Sequence, residues 1–310
     1  MRKLSADRIM KAAGIAEGAA LPKSRSGLEE ALVAMDGVAV AHVEAFCCEQ
    51  GEPILYVGIL ERGTPLFEYR PEPDGEVSLS EEDAGAYAGF AAALGRATSE
   101  DDLAEDLTAG HSMMRNPDCR AYQLRFAEIA EQRLENVQAV LARAADPEQR
   151  AAAAYIIGYA VNKRVVVGDL QAALRDASPS VRLNATSALR AIAVLGRDKS
   201  LGISIPATWF VEMLNSVVLA DRLAGSRTLN LMYDEFSEGT MAQIKERALS
   251  SLFEMARWRH LQHALPAYLL LGRVSGVAEQ EMAAAWEASE RDQMLARIEK
   301  LLKPVTAKKK

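Results

Sequence analysis

Apolar and polar positions change their rhythm twice along this 310-residue chain. From Val38 the apolar residues come in short runs, VAVAHVEAFCC, PILYVGILER and TPLFEYRP, separated by EQGE and by a turn at Gly63. Runs rich in Val, Ile, Tyr and Phe and bounded by Gly and Pro predict a three-stranded antiparallel meander. Three strands need cover on one face. Ser26 and Glu29 have capping-box spacing for a helix running to Met35, and Ser80 and Asp83 open EEDAGAYAGFAAALG in the same way. These two helices are the expected cover, so residues 1–100 read as a small α+β cap or specificity domain. The acidic run SEDDLAEDL, Ser99 to Leu107, reads as a helix N-cap with carboxylates on the favourable end of the dipole. Residues 101–115 then form a connecting helix or linker.

From Asn116 the apolar spacing becomes helical. Leu134, Val137 and Leu141 recur at i, i+3 and i+7, as do Val167, Leu170 and Leu174. Val181, Ala185, Ala188, Leu189 and Ile192 make a further face in the stretch DASPSVRLNATSALRAIAVL. Three segments share Pro-x-x-Arg, with Pro117 before Arg120, Pro147 before Arg150 and Pro179 before Arg182, and the arginines fall 30 and 32 residues apart. A fixed period near 30 predicts a repeat architecture of helix, tight turn and helix. Proline suits the first helical position, where its missing N–H costs nothing.

The third copy, LQAALRDASPSVRLNATSALRAI, resembles the HEAT repeat of armadillo-type α-solenoid proteins, in its bacterial form. The resemblance is strongest over residues 116–195, weaker over 205–276, and does not extend to residues 1–100. It implies a mainly α chain, with a HEAT-like superhelix of about five helix pairs over residues 116–302, stacked right-handed. It also implies a structural ladder between repeats, carried by a turn aspartate and an arginine early in the following helix. Asp146 and Asp176 with Arg150 and Arg182 match that pattern, and Arg120 occupies the arginine position of the first copy. That copy departs from the pattern at Asn116 and at Gln123, where an apolar residue is expected, as suits an end repeat. Gly196 to Ser204 reads as an insertion of loop composition, and residues 303–310 as a flexible basic tail.

Composition agrees with helix packed on helix. Half the residues (49%) are hydrophobic but only 6% aromatic, Ala and Leu making up the difference. A formal net charge of −7 argues against nucleic acid as the partner. Asp7, Arg8, Lys11 and Glu17 interrupt what would be the apolar core of a leader segment, so the start reads as a short amphipathic helix and the expected location is the cytoplasm. Cys47, Cys48 and Cys119 do not form a disulfide framework; the adjacent pair should point one thiol inward and one outward.

Candidate chemistry is sparse. His260 and His263 are better suited to capping than to metal binding, and Trp209, Trp258 and Trp286 to a core than to stacking platforms. No phosphate-binding glycine loop, nucleophile elbow or zinc spacing occurs, and no cofactor or metal is expected. The leading expectation is a non-catalytic protein–protein interaction scaffold or adaptor. The alternative is an enzyme or nucleic-acid-processing protein on the concave face, similar to the bilin lyases or to helical-repeat DNA glycosylases. Arg115, Arg120, Arg125, Arg150, Arg182 and Arg190 are available for the latter, but three of them fit ladder or turn positions better.

Overall fold

The computed structural model describes residues 4–49, 52–64 and 67–302. The chain is mainly helical, with 63% helix, and it divides into two compact units. The first comprises Met1–Phe67, Glu212–Ser226 and Ile244–Lys310, the second Glu68–Val211 and Arg227–Gln243.

In the first unit, helices α1 (Ala6–Ala13) and α2 (Arg25–Val33) precede an antiparallel hairpin of β1 (Val38–Glu49) and β2 (Glu52–Glu61). Val43 stands opposite Val57 and Ala41 opposite Ile59, with register shifts between Val38 and Val40 and between Phe46 and Glu49. Leu28 and Leu32 of α2 close on Val38, Ala41 and Val43, and Leu55, Val57 and Ile59 pack on this core. Helix α2 is therefore the cover the hairpin requires. Its cap is Ser24, whose hydroxyl accepts from Gly27 N at 3.1 Å, two residues before the expected Ser26.

The third strand of the expected meander is absent from the described residues. Part of TPLFEYRP, residues 65–66, lies outside them. Beyond it Arg70 N donates to Arg175 O at 2.7 Å, so this backbone is satisfied by a helix end rather than by β2. The side chains of Cys47 and Cys48 and the basic tail 303–310 also lie outside the described residues.

The second unit opens with α3 (Glu81–Ser99), capped as expected by Ser80, whose hydroxyl accepts from Asp83 N at 3.1 Å. The run from Ser99 does not start a helix; it ends one. Ser99 Oγ donates back to Arg96 O at 2.7 Å, and Asp101 takes the left-handed conformation at φ 56°. The linker that follows holds a two-residue ladder, β3 (Glu105–Asp106) with β4 (Met113–Met114). Then come α4 (Pro117–Gln132), α5 (Leu134–Arg143), α6 (Pro147–Ile156), α7 (Val167–Ala173) and α8 (Pro179–Leu195). Each shared proline occupies the first turn of its helix, where φ is already suitable and no hydrogen bond is lost. Helix α3 packs on α4, α5 on α7, and α6 on α8.

Helices α9 (Thr208–Met213), α10 (Leu219–Met232) and α11 (Glu238–Arg247) follow. The chain then returns to the first unit with α12 (Leu249–Ala256), α13 (Leu261–Ser275), α14 (Glu279–Glu287) and α15 (Arg291–Leu302). Helix α13 packs on α12, α14 and α15. His260 caps α13, its Nδ1 accepting from His263 N at 3.3 Å. The tryptophans are half-buried rather than core. Each lies beneath a guanidinium: Arg175 is 4.6 Å from the Trp209 centroid, Arg222 5.0 Å from Trp258 and Arg291 5.8 Å from Trp286. An amphipathic indole keeps an edge near water while the cation rests on its face.

Candidate functional site

The arginine positions of the three copies have three different fates. Arg150 is 1% exposed and donates to both oxygens of the fully buried Asp176, at 3.0 and 2.9 Å, with its remaining nitrogen on Ala144 O and Ala145 O. Arg182 is equally buried and donates to Asp176 O at 2.8 Å and Ala177 O at 2.9 Å, beneath the Tyr69 ring at 4.3 Å. Arg120 is exposed, donates to Met114 O at 3.4 Å and lies near enough to Asp106 to help the Thr108 N–H lower its carboxyl. Asp146 is exposed and caps α6, accepting from Glu148 N at 2.8 Å. Arg150, Asp176 and Arg182 are thus brought together, while Arg120 and Asp146 make no ion pair with a described residue.

Arg70, from the expected third strand, completes the hub. Its Nε donates to Asp176 Oδ2 at 3.1 Å and another nitrogen to Leu141 O at 2.9 Å. Burial alone would raise the Asp176 carboxyl; the Arg150 guanidinium, the Ser178 N–H and Arg70 outweigh it and hold the group below the ordinary aspartate value. Both carboxylate oxygens of Asp176 are taken up, Oδ1 by Arg150 and the Ser178 N–H and Oδ2 by Arg150 and Arg70, so this cluster reads as a structural tie.

A concave site lies elsewhere in the same unit, where the linker over residues 103–114 faces α3, α6 and α8 and encloses about 270 Å³. Phe90, Tyr155 and Tyr159 form an aromatic wall with Phe126 behind them, ring centroids 4.7–5.7 Å apart. Gly158 sits where a Cβ would come within 2.8 Å of the Ala188 Cβ, so the backbone after α6 approaches α8 at a glycine. Gln123, the departure from the repeat pattern, is fully buried and explains itself here. Its carbonyl accepts from Met114 N at 2.7 Å, and its amide donates to Ser112 Oγ at 3.1 Å and Tyr155 OH at 3.2 Å. An apolar residue would leave the linker untied from α4.

In the lining of this pocket Glu105 accepts from Ser112 Oγ and from Arg190, both at 2.6 Å. Buried behind the lining is Lys163, whose ammonium donates to Gly158 O at 2.7 Å and stands 3.2 Å from His111 Nδ1. Burial lowers Lys163 to about 8. Burial, and then the adjacent Lys163 charge, lowers His111 to about 4, so its imidazole is neutral at pH 7 and accepts from the ammonium. Burial raises the Tyr155 and Tyr159 hydroxyls, which stay neutral; Tyr159 OH donates to Ser112 O at 2.8 Å, while Tyr155 OH accepts from the Gln123 amide.

A second concavity, an open groove of about 570 Å³, lies between the loop leading into α7 and the loop leading into α9. Arg164, Val167, Gln171, Pro206, Thr208 and Trp209 line it. Among the described residues no group of three or more His, Cys, Asp or Glu could hold a metal ion, and no helix is long and apolar enough to cross a membrane. Sequence reading missed Lys163, His111 and Gln171. They belong to no shared motif, and only tertiary packing removes their usual partners. Comparison of the chain with protein-family models and with curated proteins gives no match.

Proposed function

We propose that this chain is a non-catalytic interaction protein, a HEAT-like stack of helix pairs that binds another protein in the cytoplasm. The observation that carries this reading is the pairing of equivalent helices in successive Pro-x-x-Arg units, α5 on α7 and α6 on α8. In a solenoid the loops of successive units share one edge, the surface that serves partners, and residues of the loops after α6 and α8, Arg164 and Gly202, line one groove in support of this reading. That edge carries exposed apolar side chains: Val161, which is 82% exposed, with Val165 and Leu201. Isolated exposed valines need no explanation, but three along one loop edge support an adhesive surface. The test is photo-crosslinking in cells from a reactive residue at position 165, with position 131 on α4 as control. A discrete polypeptide adduct that survives nuclease and disappears in Val161→Glu is expected. Labelling no stronger than from position 131 overturns the reading.

A second reading, an enzyme working in the pocket beneath residues 103–114, is favoured by one observation. Lys163 is a buried amine at about 8 beside a neutral imidazole, so roughly a tenth of it is uncharged at pH 7. Amines of that kind attack carbonyls. Incubation with small aldehydes and cyanoborohydride, followed by peptide mass mapping, should then label Lys163 ahead of the surface lysines. Labelling spread evenly over the lysines removes this reading.

A further inference from the structure

The pocket beneath residues 103–114 keeps a set of apolar side chains uncovered. Tyr155 has four rings around it, those of Tyr87, Phe90, Phe126 and Tyr159, with centroids 4.7–5.9 Å away, yet it keeps accessible surface and lines the cavity. Leu94 of α3 and Leu107 of the linker are half-buried at the same cavity, and Leu103 is 43% exposed there. Several uncovered apolar side chains gathered in one concavity mark a ligand site, unlike the single ones scattered over any surface. The walls are fixed before a ligand arrives. Gln123 ties the linker to α4 at Met114 and Ser112, and Arg115 N donates to Ala104 O at 2.8 Å across the linker's base. At the far end, a Cβ on Gly110 would come within 2.7 Å of the Leu195 side chain.

The polar groups of the lining are turned on one another. Glu105 holds Arg190 at one oxygen and Ser112 Oγ at the other, the Tyr159 hydroxyl donates to Ser112 O, and His111 Nδ1 accepts from Lys163. Among the described residues the Ser187 hydroxyl, on α8, is the one in this lining that makes no hydrogen bond. From this we infer that the pocket binds a small uncharged aromatic molecule of one or two rings. It lies against the Tyr155 ring, between the leucines, with a single polar group toward Ser187. A ring already clustered with others attracts a further one in offset or edge-on contact. Size selects as well. A dry cavity of about 150 Å³ takes one benzene, so the roughly 270 Å³ here takes one substituted ring or two fused ones and has no room for a helix or a run of peptide. Charge is selected against, since an anion or a cation would have to compete with the Glu105–Arg190 pair for its counter-charge. The site uses neither the loop edge at Val161 and Val165 nor the Lys163 amine, so it stands apart from the protein-binding and carbonyl-chemistry readings.

The test uses the full chain and indole, which is neutral and has no carbonyl, followed by ligand-observed NMR. Saturable binding with Kd below about 1 mM is expected, together with a higher melting temperature. With the methionine methyls labelled, the Met114 signal, assigned through Met114→Leu, should move on titration while that of Met294 in the first unit stays. Ser187→Phe fills the cavity without removing a hydrogen bond, and Leu103→Asp puts a charge on an exposed linker position. Each should lose about tenfold in affinity or more. Leu124→Asp, similarly exposed on α4 and outside the lining, should bind as the parent does. Leu103→Asp alters only an exposed side chain, so it decides the matter if the filled variant does not fold. Absence of saturation up to about 10 mM overturns the site, and so does an affinity unchanged in Leu103→Asp with Met114 unmoved. Benzoate or benzylamine binding as tightly as indole overturns the uncharged assignment, and cyclohexanol binding as tightly overturns the aromatic one.

Discussion

Arg150 and Asp176, 26 positions apart, meet as a bidentate pair with both side chains shut off from water. The pair joins the start of α6 to the turn before α8, and Arg70 adds a second cation from the segment before α3. Two charges out of water need further hydrogen bonds to be stable, and here each Asp176 oxygen accepts twice or more while Arg150 also holds the Ala144 and Ala145 carbonyls. Asp176→Ala should therefore cost about 3–5 kcal/mol, because it leaves Arg150 buried without its partner. Denaturant unfolding measures this; a loss below about 1 kcal/mol would mean that water reaches the arginine.

The same carboxylate gives a pH signature. Its folded value lies below the ordinary 3.8, so the unfolded chain takes up the proton first as pH falls. Its stabilisation is complete above the ordinary aspartate value and is lost as pH drops through the lower folded value. Asp176→Asn, less stable at pH 7, should show a shallower fall in stability below about pH 4 than the parent does. Identical slopes in acid unfolding would assign the acid lability to other groups.

Arg182 is expected to be structural. Its guanidinium ties off the carbonyls of Asp176 and Ala177 and stacks on Tyr69. Arg182→Ala should cost roughly 1–3 kcal/mol, and Arg182→Lys should recover little, since an ammonium cannot both stack and fork. Arg197→Ala, at an exposed position after α8, should stay within about 0.5 kcal/mol. Stacked helix pairs can lose cooperativity, so the comparison needs equal denaturant slopes as well as midpoints.

What could be read from the sequence follows the range of the interactions involved. Pro117, Pro147 and Pro179 mark helix starts because proline's effect is local, and Ser80 caps its helix for the same reason. Phe67 to Arg70 passed for a strand because an apolar, aromatic run looks the same whether its backbone pairs with β2 or with Arg175, far along the chain. Ser99 was legible as a helix boundary but not as which boundary. The acids that suggest an N-terminus serve elsewhere: Asp102 accepts from the Asn116 amide, and Glu105 from Arg190. Gln123 looked like a broken repeat and is the anchor of the linker. The pocket and the groove were not legible at all, because each is assembled from separate segments, and a lysine or glutamine shows nothing unusual until burial removes its partners.

In the first unit, Arg222 of α10 should matter more than its neighbours. It donates to both oxygens of Glu254 at 3.3 and 3.2 Å and to Tyr56 OH at 3.3 Å, and it covers Trp258. Glu254 keeps some exposure, so water softens the loss, and Arg222→Ala should cost about 1–3 kcal/mol. Tyr56→Phe removes one weak hydrogen bond and keeps the ring on Trp258, so about 0.5–1.5 kcal/mol is expected. Equal losses in the two variants would show that the tyrosine hydroxyl, not the ion pair, holds this corner.

Lys163 and His111 should give the chain a stability profile that rises with pH in two windows. Lys163 is lowered from 10.5 to about 8 by burial. Between those values the unfolded chain holds a proton that the folded chain has released, so raising the pH favours the folded state. His111 is lowered from 6.5 to about 4, and the same sign holds between those values, with stability lost as pH falls toward 4. The lysine window should contribute on the order of 2–3 kcal/mol, reduced by whatever water reaches the amine. Lys163→Met keeps the stem's volume and removes the titration, so its stability should no longer rise above about pH 8, leaving only the fall near about pH 10 that the raised tyrosines bring. It also frees His111 of an adjacent cation, which should move the lower window upward, toward the ordinary histidine value. His111→Gln should abolish the lower window and leave the upper one in place. Urea unfolding at half-unit steps from pH 4 to 10.5 on the three chains separates these outcomes. If Lys163→Met keeps the parent's upper rise, the amine is charged in the folded chain at alkaline pH and the carbonyl-chemistry reading of the pocket falls with it.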